Sequence, residues 1–462
     1  MAGIRAERDV ESAEQPLIGP ELPGDATVNL VLDLSLRVGE VLMASGAGAA
    51  DVTATVIAVT SACGLPHCEV DVIFTSISIC CHRGTALSPV TSQRVVRSRS
   101  LDYTRLAAVE NLVGEITSGK LGAADARERL RTLTEAPHPY PRWVATAAWA
   151  LMAAAVVVLI GGGAMIALMA GVITAIIDRV GRLLNRRSLP FFFQQVAGGG
   201  LATGITLTVM RLGLLPAGVQ PSLVVAGAIT VLLSGLSVVS AVQDGISGYN
   251  VTAAGRTMEV TLMSAGLVAG VVLALGVAVR LGLPDEPIIE PLAQTALRLP
   301  VQVLAGGAAA ACFALASYAT RRALLVAAGA GALGAGAHGA LVLVGLNQIG
   351  ASAVAAALIG FCGGLVSRRF RLPPLVVAVS GLTPLLPGLT TYQSMFQLAV
   401  QRSTAGLPTL MLAVAIALAL AAGVVLGEYL AQPVRTGLGR LERRLAGPRM
   451  AGPLRPSRRR LE

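Results

Sequence analysis

The chain has 462 residues, 54% of them apolar and 13% charged, with a formal net charge of +10. Of its 36 Lys and Arg and 26 Asp and Glu, 30 fall in residues 1–142, 21 in 143–434 and 11 in 435–462, so a long central block takes lipid rather than water as its solvent. This excludes a soluble enzyme with one core and a disordered or collagen-like chain, and six cysteines are too few for a disulfide scaffold.

Residues 1–27 carry Arg5, Glu7, Arg8, Asp9, Glu11 and Glu14, then Pro16, Pro20 and Pro23, and lack an apolar stretch of signal-peptide length. They read as a disordered tail that begins in the cytosol. Residues 28–136 read as a small cytosolic α+β domain. An amphipathic helix runs over 28–45 and stops at Gly46; a second runs from about Asp51 to Gly64. Residues 69–81 are β-branched and alternating, which predicts one strand; 91–98 predict another, and helices follow at 103–118 and 123–134. Cys63, His67, Cys68, Cys80, Cys81 and His82 lack the paired spacing of a zinc site, and adjacent Cys80 and Cys81 fall on opposite strand faces, so buried thiols are expected and no metal. No nucleophile elbow, phosphate-binding loop or metalloprotease helix motif is present, so no enzyme chemistry and no cofactor are expected. Pro137, Pro139 and Pro141 make 137–142 a stiff linker into Trp143 at the membrane interface.

Ten apolar spans follow, at about 143–162, 164–178, 191–211, 221–242, 257–280, 299–319, 323–345, 349–366, 374–397 and 408–431. They divide into a first five-helix half, 143–282, an extracytoplasmic loop, 283–298, a second half, 299–432, and a basic cytosolic tail, 433–462. Every second loop is basic, with Arg179, Arg182, Arg186 and Arg187, then Arg256, then Arg321 and Arg322, then Arg368, Arg369 and Arg371, while the alternate loops carry Arg211, then Arg280 and Arg298 offset by Asp285, Glu286 and Glu290, then Arg402. Arginine-rich short loops stay in the cytoplasm, which places both termini there. The positive charge then faces anionic lipid headgroups, and nucleic acid is not an expected partner. Gly-rich spans predict helices packed backbone to backbone.

Residues 221–236 align with 373–389 with one gap: Leu-Val-Val-Ala recurs at 223–226 and 375–378, and Leu232 to Leu236 matches Leu385 to Leu389 apart from Pro387. Five crossings separate spans four and nine, so the copies run in opposite directions, as in inverted-repeat transporters; chance matching of Leu, Val and Ala is the alternative. In span nine Pro384 and Pro387-Gly388 interrupt the apolar run, and Thr390, Thr391 and Tyr392 follow at the start of a half-helix. The break frees carbonyls before it and N–H groups after it, which suits a zwitterion; a kink without a ligand is the alternative. Gln243, Asp244, Tyr249 and Asn250, between spans four and five, are further substrate-binding candidates. Asp244 and Glu259 are candidates for carrying a coupling proton, or else are interfacial groups, Glu259 pairing with Arg256.

The segments SGAGAADV (45–52), VDVIFTSISI (70–79), QDGISGYNVTAAGR (243–256) and GLTPLLPGLTTYQSM (381–395) resemble the ThrE-type threonine/serine exporter family. The resemblance runs from about residue 28 to 431. It implies a cytoplasmic-type head, ten spans in two halves, and efflux of threonine and serine driven by the proton motive force; it supplies no catalytic residues. The expected partners are an amino-acid substrate, a proton and membrane lipid, with a homo-oligomer left open. Competing readings are a membrane-tethered enzyme or sensor acting through its head, a channel, and an exporter of another small polar solute.

Overall fold

The computed structural model describes residues 24–83, 87–97, 99, 101–213, 221–233, 235–282, 295–370, 372–399 and 401–431. The tail expected at 1–27, all but its last residues, the loop segment 283–294 and the basic tail 433–462 lie outside the described residues.

The head comprises α1 (Asp25–Ala44), α2 (Ala49–Ala62), β1 (Cys68–Ile73), β2 (Ser76–Cys81), β3 (Val90–Val95), α3 (Tyr103–Thr117) and α4 (Ala123–Glu135). The strands form an antiparallel sheet in the order β1-β2-β3. Val31, Leu34 and Val38 of α1 are buried on one face, at the helical spacing that the sequence carries, with Ile77 and Ile79 of β2 and Val56 of α2. Asp102 caps α3 by accepting from the Arg105 N–H at 2.9 Å, and its other oxygen meets Nδ1 of His138 at 2.7 Å, tying the linker to the domain.

The single strand expected over 69–81 is a hairpin. Ile73 pairs with Ser76, so Phe74 and Thr75 form a two-residue turn, and Phe74 takes a positive φ of 53°. Neither residue is one that such turns favour, and the support for this backbone comes from the membrane part, as described below. Cys80 is half-buried and Cys81 buried, the alternation of a strand with one face on the core.

The membrane part consists of α5 (Arg142–Leu159), α6 (Ala164–Arg186), α7 (Phe191–Arg211), α8 (Pro221–Thr230), α9 (Gly235–Ile246), α10 (Asn250–Arg280), α11 (Leu299–Ala316), α12 (Arg321–Leu343), α13 (Gln348–Phe370), α14 (Pro374–Leu382), α15 (Gly388–Ala399) and α16 (Gly406–Ala431). Among the described residues seven helices are long and apolar enough to cross a membrane: α5, α6, α10, α11 with its leading turn, α12, α13 and α16. The pair α14–α15, bent by 46° between Leu385 and Gly388, is a broken span or a re-entrant loop, and makes an eighth candidate if it is one span. The count of ten spans is therefore not reached by this measure: α7 carries Gln194, Gln195 and Arg211, and span four is split, α8 ending at Thr230 and α9 starting at Gly235.

Two helix pairs are packed through glycine. In α7 and α10, a methyl group at Gly199 would collide with the Leu267 carbonyl, one at Gly266 with the Phe192 carbonyl, and one at Gly270 with the Val196 carbonyl. In α13 and α16, Gly360 meets the Val424 carbonyl, Gly423 the Ala353 carbonyl and Gly427 the Ala357 carbonyl in the same way. Both pairs thus use a Gly-x-x-x-Gly stripe on one helix and a single Gly on the other, with matching spacings throughout. The other neighbours repeat too: α5 packs on α6 as α11 does on α12, and α9 packs on α10 as α15 does on α16.

Candidate functional site

Two places gather the sequence-predicted residues. The first is the junction between head and membrane helices. Asp244, near the end of α9, is fully buried; its Oδ1 accepts the Ala49 N–H at 2.6 Å, and its Oδ2 lies 2.8 Å from Nη1 of Arg256, itself buried on α10. Arg256 also donates to the Ala47 carbonyl at 3.0 Å. Gly48 sits against Gln243, where a side chain would crowd its amide, and Gln243 Nε2 donates to Asp51 at 3.2 Å. Asp244 therefore caps the N-terminus of α2, where helix dipole and unpaired N–H groups favour a carboxylate, while holding a buried arginine.

On the neighbouring strands the Thr252 hydroxyl donates to the Val72 carbonyl at 2.9 Å and accepts the Phe74 N–H at 3.0 Å, and the Phe74 ring covers Gly255. These contacts support the Phe74 turn. Glu259 pairs with Arg99 at 2.7 Å, not with Arg256 as one alternative had it. Tyr249 precedes α10, its N–H bonded to the Asp244 carbonyl oxygen, and Asn250 opens the helix exposed. The head also reaches the turn between α11 and α12: Tyr103 N–H donates to the Ser317 carbonyl at 2.9 Å, the Thr104 hydroxyl to the Tyr318 carbonyl, and His138 stacks on the Tyr318 ring with centroids 4.3 Å apart.

The second place is where the two broken helices meet. Gly388 is buried so close to Thr230 that a methyl group there would overlap the Thr230 hydroxyl. Pro384 is buried in the turn Thr383–Leu385, and Pro387 leads into α15. Thr391 turns its hydroxyl back to the Pro387 carbonyl at 2.6 Å, Thr390 is half-buried, and Tyr392 is buried beside Phe396 among residues of α8. On the side of span four, the Leu232 carbonyl, past the end of α8, accepts from Nε2 of Gln195 on α7 at 3.3 Å.

The structure thus divides the expected substrate residues: Gln243, Asp244, Tyr249 and Asn250 belong to the junction, and Pro384, Pro387, Gly388, Thr390, Thr391 and Tyr392 to the crossing. Sequence reasoning missed Gln195, Thr230 and Arg99. The only early signal for Gln195 was an amide pair, Gln194-Gln195, inside an apolar span. Among the described residues no three His, Cys, Asp or Glu side chains gather as a metal site.

A multi-helix membrane bundle in which two interrupted helices meet is an architecture that transporters use. The chain belongs to the ThrE family of threonine/serine exporters. A family model described as "Putative threonine/serine exporter" matches residues 33–278, the head through α10, and a second, "Threonine/Serine exporter, ThrE", matches 302–430, α11 through α16. A protein of Mycobacterium tuberculosis named "Probable threonine/serine exporter" is 42% identical over 428 residues, covering 90% of this chain and 79% of its own. The "Threonine/serine exporter" of Corynebacterium glutamicum is 36% identical over 422 residues, covering 91% and 86%. No solved structure matches the chain.

Proposed function

We propose that this protein exports small hydroxylated amino acids, threonine and serine, from the cytosol as a secondary transporter driven by the proton motive force. The chain crosses the inner membrane ten times, in two five-helix halves of opposite orientation, α5 to α10 and α11 to α16, with α8–α9 and α14–α15 each forming one interrupted span. The observation that carries this reading is the meeting of the two interruptions, Gly388 against Thr230. The matched glycine stripes on α10 and α16 support the repeat. The head bonds both to the α9–α10 corner and to the turn after α11, two loops that the arginine pattern assigns to one side, which supports a cytosolic head and cytosolic termini.

The substrate lies at the crossing. Its carboxylate faces the N-terminal end of α15, where the helix dipole and the first-turn N–H groups favour an anion; Thr390, Thr391 and Tyr392 provide hydroxyls beside it, and Pro384, Pro387 and Gly388 hold the helix open. Gln243, Asp244, Tyr249 and Asn250 border the cytosolic approach. Asp244 carries the coupling proton: protonation removes the charge that Arg256 and the α2 N-terminus both hold, so that proton uptake loosens the head from the α9–α10 corner. Glu259, in its pair with Arg99, is the second acidic group there.

Proteoliposomes loaded with labelled threonine test this. Efflux is expected on imposing a proton gradient and should collapse with an uncoupler. Efflux indifferent to the uncoupler would remove the proton, and no efflux of threonine or serine would remove the substrate.

A further inference from the structure

Gln195 is 3% exposed, one turn into α7. It is held in place on two sides: Gly266, midway along α10, leaves just enough room for its Cβ, and Gly198 leaves room for the Leu232 side chain to come up against α7. Its Nε2 is used on the Leu232 carbonyl, but its Oε1 is buried with no hydrogen-bond partner among the described residues. A buried amide oxygen left unpaired in an apolar bundle is costly, and a donor that visits the site removes that cost.

The repeat shows that the fold does not need an amide there. The glycine contacts set Gly199 against Gly360 and Val196 against Ala357 as equivalent positions, and so Gln195 against Ala356, which is fully buried. One half thus places a polar group beside a broken helix where the other half places a methyl.

Two neutral acceptors, Oε1 of Gln195 and the carbonyl oxygen of Leu232, side by side at a helix interruption, match the several donors of one ammonium group. We propose that Gln195 and the Leu232 carbonyl form the subsite for the primary ammonium of the amino-acid substrate, and that Gln195 is the residue by which the transporter tells an amino acid from its hydroxy-acid analogue. This rests on the reading of the crossing as the transport site. The ammonium then lies by span four and the carboxylate by the start of α15, so the substrate bridges the two halves.

The test compares threonine with 2,3-dihydroxybutyrate, in which a hydroxyl replaces the ammonium, for the full-length protein in proteoliposomes. Wild type should prefer threonine. Gln195→Met, which keeps the length and apolar packing, and Gln195→Ala should raise the KM for threonine about 10- to 100-fold, with little change for the analogue. Gln195→Glu, which keeps the shape and adds a charge that attracts ammonium, should retain the preference. Equal loss for both solutes in Gln195→Met, or an intact preference in it, overturns the subsite while leaving export standing. Failure of wild type to move threonine at all brings down the export reading and this subsite with it.

Discussion

The tie between Asp244, Arg256 and the start of α2 sets a measurable strength for the docking of the head. In Asp244→Asn the side-chain oxygen can still accept the Ala49 N–H, but Arg256, 4% exposed at its side chain, loses its counter-charge. Removing one member of a buried ion pair costs about 3–5 kcal/mol. Asp244→Ala also removes the cap on α2, a further ~1 kcal/mol. Hydrogen exchange of the Ala49 amide in full-length protein in nanodiscs reads this directly. It should speed up by about two to three and a half orders of magnitude in Asp244→Asn and by about fivefold more in Asp244→Ala. Asp244→Asn combined with Arg256→Met should exchange more slowly than either single variant, because no uncompensated charge is left buried. An Ala49 amide protected alike in wild type and Asp244→Asn would refute the claim that this pair clamps the head.

Three further outcomes are expected. Gly270→Val and Gly427→Val should each destabilise the protein in detergent by about 1–3 kcal/mol, read as a lower melting temperature, whereas Gly276→Val, whose added side chain meets open space, should not; a normal Gly427 variant beside a damaged Gly270 variant would count against the two halves being equivalent. Pro387→Ala removes a helix breaker of about 3 kcal/mol and should cut threonine efflux at least about tenfold with insertion unchanged, and undiminished efflux would show that the interruption of span nine is dispensable. Burial beside Cys81 pushes the Cys68 thiol up to about 12, so at pH 8 its thiolate, and its labelling by iodoacetamide, should be about a thousandfold below that of a thiol at 9.0 and should keep rising beyond pH 10; a plateau near pH 9 in peptide mass spectra would contradict this.

The helices of the head and most spans were legible because hydrophobic periodicity and runs of Gly and Pro are local signals. The hairpin at Phe74 was not, since nothing in Phe74-Thr75 favours a turn; its positive φ is held by Thr252 and Gly255, far along the chain. The split of span four was hidden for a related reason: Thr230 to Gly235 holds no proline, and only the alignment with the Pro-broken span nine hinted at it. The rarity and cost of charge in the membrane block are legible in the sequence, but its partners are not, because Asp244 meets the Ala49 N–H, 195 residues away, and Glu259 meets Arg99, 160 residues away. Gln195 was passed over because an amide in an apolar span is unremarked until its neighbours are known.

The cap on α2 has a consequence for how the protein is made. Ala49 and Asp244 are 195 residues apart, and at synthesis rates of 5–20 residues per second the carboxylate leaves the ribosome about 10–40 s after the helix it completes. Through that interval the nascent head lacks the Asp244 cap at Ala49 and, at Phe74, the support of Thr252 for its turn, while the helices α5 to α9 are still being made. Maturation of the head is thus timed by the insertion machinery: the domain translated first is finished only once the corner between α9 and α10 has come through.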